Sequence, residues 1–145
     1  MRFEQMIEEL RATKSRKELM EISLEHGYSK MNLYMALRRM GINGNTTAQK
    51  LHETAEMLGY KVMYAIDNGS AMTRDEVIDR LGDEYKARGR GRMKICVEHG
   101  YVDHYLTHAL ERTRTRKQSP TLVLENVADM LGYELGYELV KKVQE

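Results

Sequence analysis

The chain has 145 residues, 41% hydrophobic and 31% charged, with 23 basic against 22 acidic side chains for a net charge of +1. That composition is globular, and the near-neutral balance withholds the simplest electrostatic argument for a nucleic-acid partner. A single cysteine, Cys96, excludes an internal disulfide; no apolar run approaches the roughly 18 residues of a membrane span, and the acidic, amphipathic start M-R-F-E-Q-M-I-E-E-L is unlike a signal peptide. A cytoplasmic protein without a membrane partner is expected. A first helix is expected over about residues 3–13, where Phe3, Met6, Ile7 and Leu10 recur at i, i+3, i+4 and i+7. Ser15 with Glu18 three residues on reads as a capping box, opening a second helix that runs to about His26 and buries Leu19, Met20 or Ile22, and Ser23. Gly27 stands where a C′ glycine stops a helix, and Ser29 can cap the next. The third helix is expected from Lys30 to Met40, with Leu33, Ala36, Leu37 and Met40 on its apolar stripe. G-I-N-G-N reads as a loop, and Thr46 or Thr47 caps a fourth helix presenting Leu51, Ala55 and Leu58 and ending at Gly59. The alternating Y-K-V-M-Y-A-I then predicts a short strand, and D-N-G-S a turn and hinge.

The second half says the same again. At a constant offset of 73, 16 of the 43 positions from residue 22 to 64 are identical to those from 95 to 137. Helices are expected from Thr73 or Arg74, near 91–99, over about 103–113, and after Ser119-Pro120, with a final strand in Y-E-L-G-Y-E-L-V. The fold class expected is therefore mainly α: two tandem helix-turn-helix domains of four to five helices each, with a short C-terminal β-strand after each copy. Their bounds are 1–68 and 73–145, with a linker at about 67–73. Two differences separate the copies. K-A-R-G-R-G-R is about two residues longer than its counterpart and reads as a flexible basic loop, and T-R-T-R-K-Q replaces the neutral M-G-I-N-G-N.

Two helices joined by a short turn with glycine at its start form the helix-turn-helix arrangement. The pair needs a small residue on the earlier helix, four before the turn glycine, and here it is Ser23 and Cys96; the apolar residue facing it is Leu33 and Leu106. On these residues, with L-E-R at 110–112, S-P-T-L-V-L-E-N-V-A-D-M-L-G-Y-E-L at 119–135 and S-R-K-E-L-M-E-I-S-L-E-H-G-Y-S-K-M-N-L at 15–33, the chain resembles the phage-repressor (Xre or lambda-repressor-like) helix-turn-helix family. The resemblance covers most of both halves, about 15–65 and 90–137. It implies a sequence-specific, double-stranded DNA-binding transcriptional regulator of phage or mobile-element origin. With no Ser-His-Asp set, P-loop, paired-carboxylate motif, dinucleotide fingerprint or four-ligand zinc spacing in the chain, no catalytic activity, cofactor or metal is expected.

The same resemblance implies base-reading residues early in each third helix: Lys30, Met31, Asn32, Tyr34 and Arg38 in the first copy, His104, Tyr105, Thr107, His108 and Arg112 in the second. Arg16, Lys17, Arg90, Arg92, Arg114 and Arg116 are the expected phosphate contacts, which set position rather than sequence. His26 and His99, each just before a turn glycine, suit the carbonyls of a helix C-terminus better than a metal, and Tyr28, Tyr101, Tyr60 and Tyr133 are expected to plug the core from turns. Two half-sites can be met by one chain or by a homodimer. The alternative partner is a protein: a helix-turn-helix scaffold with a methionine-rich surface, such as an inhibitor of a host nuclease.

Overall fold

The computed structural model describes residues 1–43, 46–101, 105–115 and 121–142. Its elements follow as α1 (Phe3–Ala12), α2 (Arg16–Glu25), α3 (Asn32–Asn43), α4 (Ala48–Met57), β1 (Tyr60–Ile66), α5 (Arg74–Ala87), a 3₁₀ turn (Gly89–Gly91), α6 (Arg92–Glu98), α7 (Tyr105–Thr115), α8 (Thr121–Met130) and β2 (Leu135–Lys141). The protein is thus mainly helical, with one small two-stranded sheet among the described residues.

Local chemistry sets most of the boundaries. Ser15 Oγ accepts from the Glu18 amide at 3.2 Å while the Glu18 carboxylate accepts from the Ser15 amide at 3.1 Å, and Thr73 with Glu76 repeats this box at α5. Thr47 Oγ1 caps α4 by accepting from the Lys50 amide. At the end of α2, Gly27 takes φ +78°. There the Gly27 amide donates to Leu24 O and the Tyr28 amide to Ser23 O, the paired bonds of a Schellman stop. Gly100 at φ +80°, with Val97 and Cys96 as acceptors, copies it after α6.

Several expectations are corrected. α3 begins at Asn32 and runs on to Asn43, so Lys30 and Met31 lie in the turn and G-I-N is helical rather than a loop; Gly44 and Asn45 lie outside the described residues. The basic segment expected to be a loop is short and ordered: α5 runs through Lys86 and Ala87, and one 3₁₀ turn leads into α6. Its Arg88 guanidinium donates to Leu131 O at 2.7 Å, closing the C-terminus of α8. Tyr28 and Tyr101 are exposed rather than core plugs, whereas Tyr60 and Tyr133 pack against the core. Among the described side chains Met6, Met40 and Met130 are buried and the other methionines are half-buried, part core and part surface.

The antiparallel register places Tyr64 opposite Tyr137, the residues that stand 73 apart in the repeat. Val62 faces Leu139 and Ile66 faces Leu135; positions 135 and 139 are the repeat counterparts of 62 and 66. This reciprocal pairing is that of an isologous interface, with its two-fold axis between the two tyrosines. The Tyr64 amide and carbonyl turn outward to Met72 (2.8 and 2.7 Å), and those of Tyr137 to Met1 (2.8 and 2.9 Å). A strand residue points both groups to one side, so the tyrosines form the closer, non-hydrogen-bonded kind of pair, with ring centroids 5.4 Å apart. Met1 and Met72 match because the first helices repeat at an offset of 71, M-R-F-E-Q-M-I-E-E-L against M-T-R-D-E-V-I-D-R-L. The two extra residues before α6 restore the offset of 73.

Each strand packs on the last helix of its own half and the first helix of the other, β1 on α4 and α5, β2 on α8 and α1. Buried residues from Phe3 to Tyr137 consequently form one cluster. The D-N-G-S segment is a tight turn: Asp67 and Asn68 both have positive φ, and the Gly69 amide donates to Ile66 O at 2.9 Å. Asp67 and Glu134 then exchange two hydrogen bonds, Asp67 N–H to Glu134 O at 2.9 Å and Glu134 N–H to Asp67 Oδ1 at 2.8 Å. The expected hinge is a turn pinned to the entry of β2.

His52 and Glu125 are repeat counterparts, each beside the tyrosine of its own half. His52 Nε2 and Tyr64 Oη are 2.9 Å apart, and burial pushes the Tyr64 hydroxyl up to about 12. Tyr137 Oη makes no hydrogen bond of standard geometry, although the Glu125 carboxyl is close enough to act on it. Burial, with Arg74 nearby, lowers the His52 pKa below its ordinary 6.5; burial, with Glu4 nearby, raises that of Glu125 above 4.5. Below pH 6.5 the unfolded chain therefore takes a proton that folded His52 resists, and stability falls. Above pH 4.5 the unfolded chain releases a proton that folded Glu125 retains, and stability again falls. Urea midpoints at pH 7.5 and 5.5 should show His52→Gln reducing the loss on acidification, and Glu125→Gln raising stability at pH 7.5. If the first variant leaves the acid slope unchanged, the His52 assignment is wrong.

Candidate nucleic-acid interface

The α2–α3 pair is held by one buried hydroxyl. Ser23 Oγ donates to Leu19 O at 2.8 Å and accepts from the Leu33 amide at 3.2 Å. It thereby satisfies an N-terminal amide of α3 from inside the adjoining helix. Only a small side chain fits there: Ser23 and its counterpart Cys96 are both fully buried, as are Leu33 and Leu106 to within 1%. Ser23→Ala should cost about 1–2 kcal/mol, because it leaves the Leu33 amide buried without its acceptor. Urea unfolding measures this, and a loss under a few tenths of a kcal/mol would show that the hydroxyl does not hold the pair.

On this scaffold the first-copy residues fall in two groups. Lys30 and Arg38 are exposed, as is Arg39, which sequence reasoning left out of the reading face. Met31, Asn32 and Tyr34 are half-buried. Met31 O accepts from the Met35 amide at 2.9 Å, which places Met31 at the start of α3. The Arg16 guanidinium lies 4.8 Å from the centre of the Tyr34 ring, joining an expected phosphate contact to an expected reading residue. Arg16 also lines a groove with Arg11 and Lys14 between α1, α2 and α3; Lys17 is exposed beside it. Lys50, in the first turn of α4, reaches over Tyr28 at 5.8 Å and lines a second groove with Asn32, Arg39, Thr46 and Thr47. The sequence signal for Lys50 was its place three residues after the Thr47 cap, where a helix N-terminus favours anions.

The second copy differs on the same frame. Tyr105 stacks on Tyr101 with centroids 4.1 Å apart and planes at 11°. Asn126 Nδ2 donates to Tyr101 Oη at 2.8 Å and lies 3.4 Å from Tyr105 Oη. Thr107 Oγ1 is 2.7 Å from Tyr85 Oη, so its hydroxyl is engaged within the protein, while His108 is exposed. His104, Arg116 and the side chains of Arg90, Arg92, Arg112 and Arg114 lie outside the described residues. His26 and His99 each place Nδ1 2.9 Å from a carbonyl, Ile22 O and Ile95 O. A carbonyl only accepts, so Nδ1 carries the proton, and both residues finish helices as expected.

Charge is local rather than global. Between residues 14 and 40 six basic side chains stand against three acidic ones, and between 86 and 117 nine stand against three. The compensating acids gather elsewhere, with Glu4, Asp67, Glu125, Asp129 and Glu134 around one cleft at the end of the sheet. Compared with known proteins, the chain matches no family model, no curated protein and no solved structure.

Proposed function

We propose that the chain is a sequence-specific, double-stranded DNA-binding regulator, a repressor of phage or mobile-element type, built from two helix-turn-helix domains at 1–68 and 73–145. The observation that carries this reading is the α2–α3 pair: the Ser23 hydroxyl fixes it, and Arg16 and Lys17 on α2, Lys30 in the turn, and Arg38 and Arg39 on α3 are all exposed. In this geometry α3 enters the major groove, Arg38 and Asn32 read guanine and adenine edges, and the flanking cations hold phosphates. Fluorescence anisotropy with a random duplex at 50 mM salt tests it. Micromolar binding is expected, and a flat titration rejects DNA as the partner.

A second reading is favoured by one observation. Leu24 and Val97, at 55% and 61% exposure, and Tyr28 and Tyr101 are repeat counterparts, so both copies expose the same apolar pair. A protein-binding scaffold, such as a nuclease inhibitor, would use such a pair as an anchor. Under that reading DNA is not bound at low salt.

A further inference from the structure

We infer that the duplex read by this chain is non-palindromic: two half-sites of unlike sequence, set about a local dyad and occupied together by a single chain. This rests on the DNA-binding reading above and specifies its substrate. The axis between Tyr64 and Tyr137 relates the two strands, and the packing around it repeats. β1 lies on α4 and α5 as β2 on α8 and α1, and α1 on α3 as α5 on α7, so that α6–α7 takes in the second half the place of α2–α3 in the first. Duplex DNA has local two-fold axes across its base pairs, so a two-fold protein meets two half-sites in opposite orientation. In a homodimer one sequence supplies both reading faces, and the site is forced towards a palindrome. Here the pairing surface is already used inside the chain. β1 and β2 cover each other, and the outward N–H and C=O groups of Tyr64 and Tyr137 are taken by Met72 and Met1.

The two faces have separated while the frame stayed the same. The frame positions Gly27 and Gly100, Leu33 and Leu106, Leu37 and Leu110, and Tyr64 and Tyr137 are identical. Of the facing positions only Arg39 and Arg112 match: Asn32 stands against Tyr105, Tyr34 against Thr107, Met35 against His108 and Arg38 against Glu111. Arg38 and Glu111 are both exposed and of opposite charge. A guanidinium donates to guanine O6 and N7, whereas a carboxylate only accepts, as from cytosine N4. Asn32 presents an amide able to pair with adenine, whereas Tyr105 is held against Tyr101 and Asn126 and presents a ring face and edge. No single half-site suits both helices.

Selection of duplexes bound by the full chain from a random pool tests this. The expected product is a bipartite site with unlike halves, separated by about one or two turns of DNA. Duplexes carrying either half twice in inverted orientation should bind about a hundredfold to ten-thousandfold more weakly, as a few mismatched pairs would dictate. Arg38→Ala should relax preference in one half only and His108→Ala in the other, both with unchanged thermal midpoints. Enrichment of a palindrome, or of one half-site with no demand on a second, overturns the inference while leaving DNA binding intact. Failure to retain any duplex at low salt instead overturns the DNA-binding reading, and this inference with it.

Discussion

Tyr137→Ala is expected to destabilise the fold by about 3–5 kcal/mol, as deletion of a large buried aromatic side chain does. Domains are stable by roughly 5–15 kcal/mol in total, so much of the chain would be unfolded at modest urea. The size of the effect follows from position. Tyr137 is fully buried, meets Phe3 edge to face at 5.6 Å and packs against Tyr64 at 5.4 Å. Removing its ring opens a cavity on the two-fold axis, where α1 of one half and α8 of the other meet the sheet. The hydroxyl is a separate matter. Because Tyr137 Oη lacks a hydrogen bond of standard geometry, Tyr137→Phe should cost nothing or gain up to about 1 kcal/mol. Tyr64→Phe removes the bond to His52 and should cost about 1 kcal/mol. Urea unfolding of the three variants orders them. If Tyr137→Phe is as damaging as Tyr64→Phe, the Glu125 carboxyl accepts a real hydrogen bond from Tyr137.

What the sequence made legible was what short range decides. Capping boxes at Ser15 and Thr73, the Gly27 and Gly100 stops, the strand from Tyr60 to Ile66 and the small residues Ser23 and Cys96 all depend on neighbours within a turn or two. Gly41 misled because glycine is a weak breaker, and the packing of α3 on α1 carries the helix through it. K-A-R-G-R-G-R misled for a related reason: Tyr85, buried at the end of α5, and Arg88, bonded to Leu131, order a segment whose composition alone reads as loop. Tyr28 and Tyr101 read as core on residue type, but the Schellman turn fixes the backbone there without settling where the ring goes. The packing of each strand on the first helix of the other half was not legible either. The repeat gave the equivalence of Tyr64 and Tyr137, and only the register of β1 on β2 turns that equivalence into an axis.

The same local view decides how DNA affinity should respond to salt. A net charge of +1 taken as a whole predicts almost no dependence. Arg16, Lys17, Lys30, Arg38, Arg39 and Lys50 instead lie on α2, α3, the turn between them and the start of α4, whereas Glu125, Asp129 and Glu134 line a cleft at the end of the sheet. Screening over about 8–10 Å at physiological salt lets the nearby cluster act while muting distant carboxylates. With Arg38 on a base edge, the other five as phosphate contacts release between about four and five counterions, so affinity for duplex DNA should fall about five-hundredfold between 50 and 200 mM salt. Arg16→Ala with Lys17→Ala should lower the log–log slope by about two and weaken all sequences alike, whereas Asn32→Ala should leave the slope and erode discrimination between sequences. A wild-type slope near zero would mean that the whole-chain charge governs, and that these cations are solvated helix faces with no nucleic acid to meet.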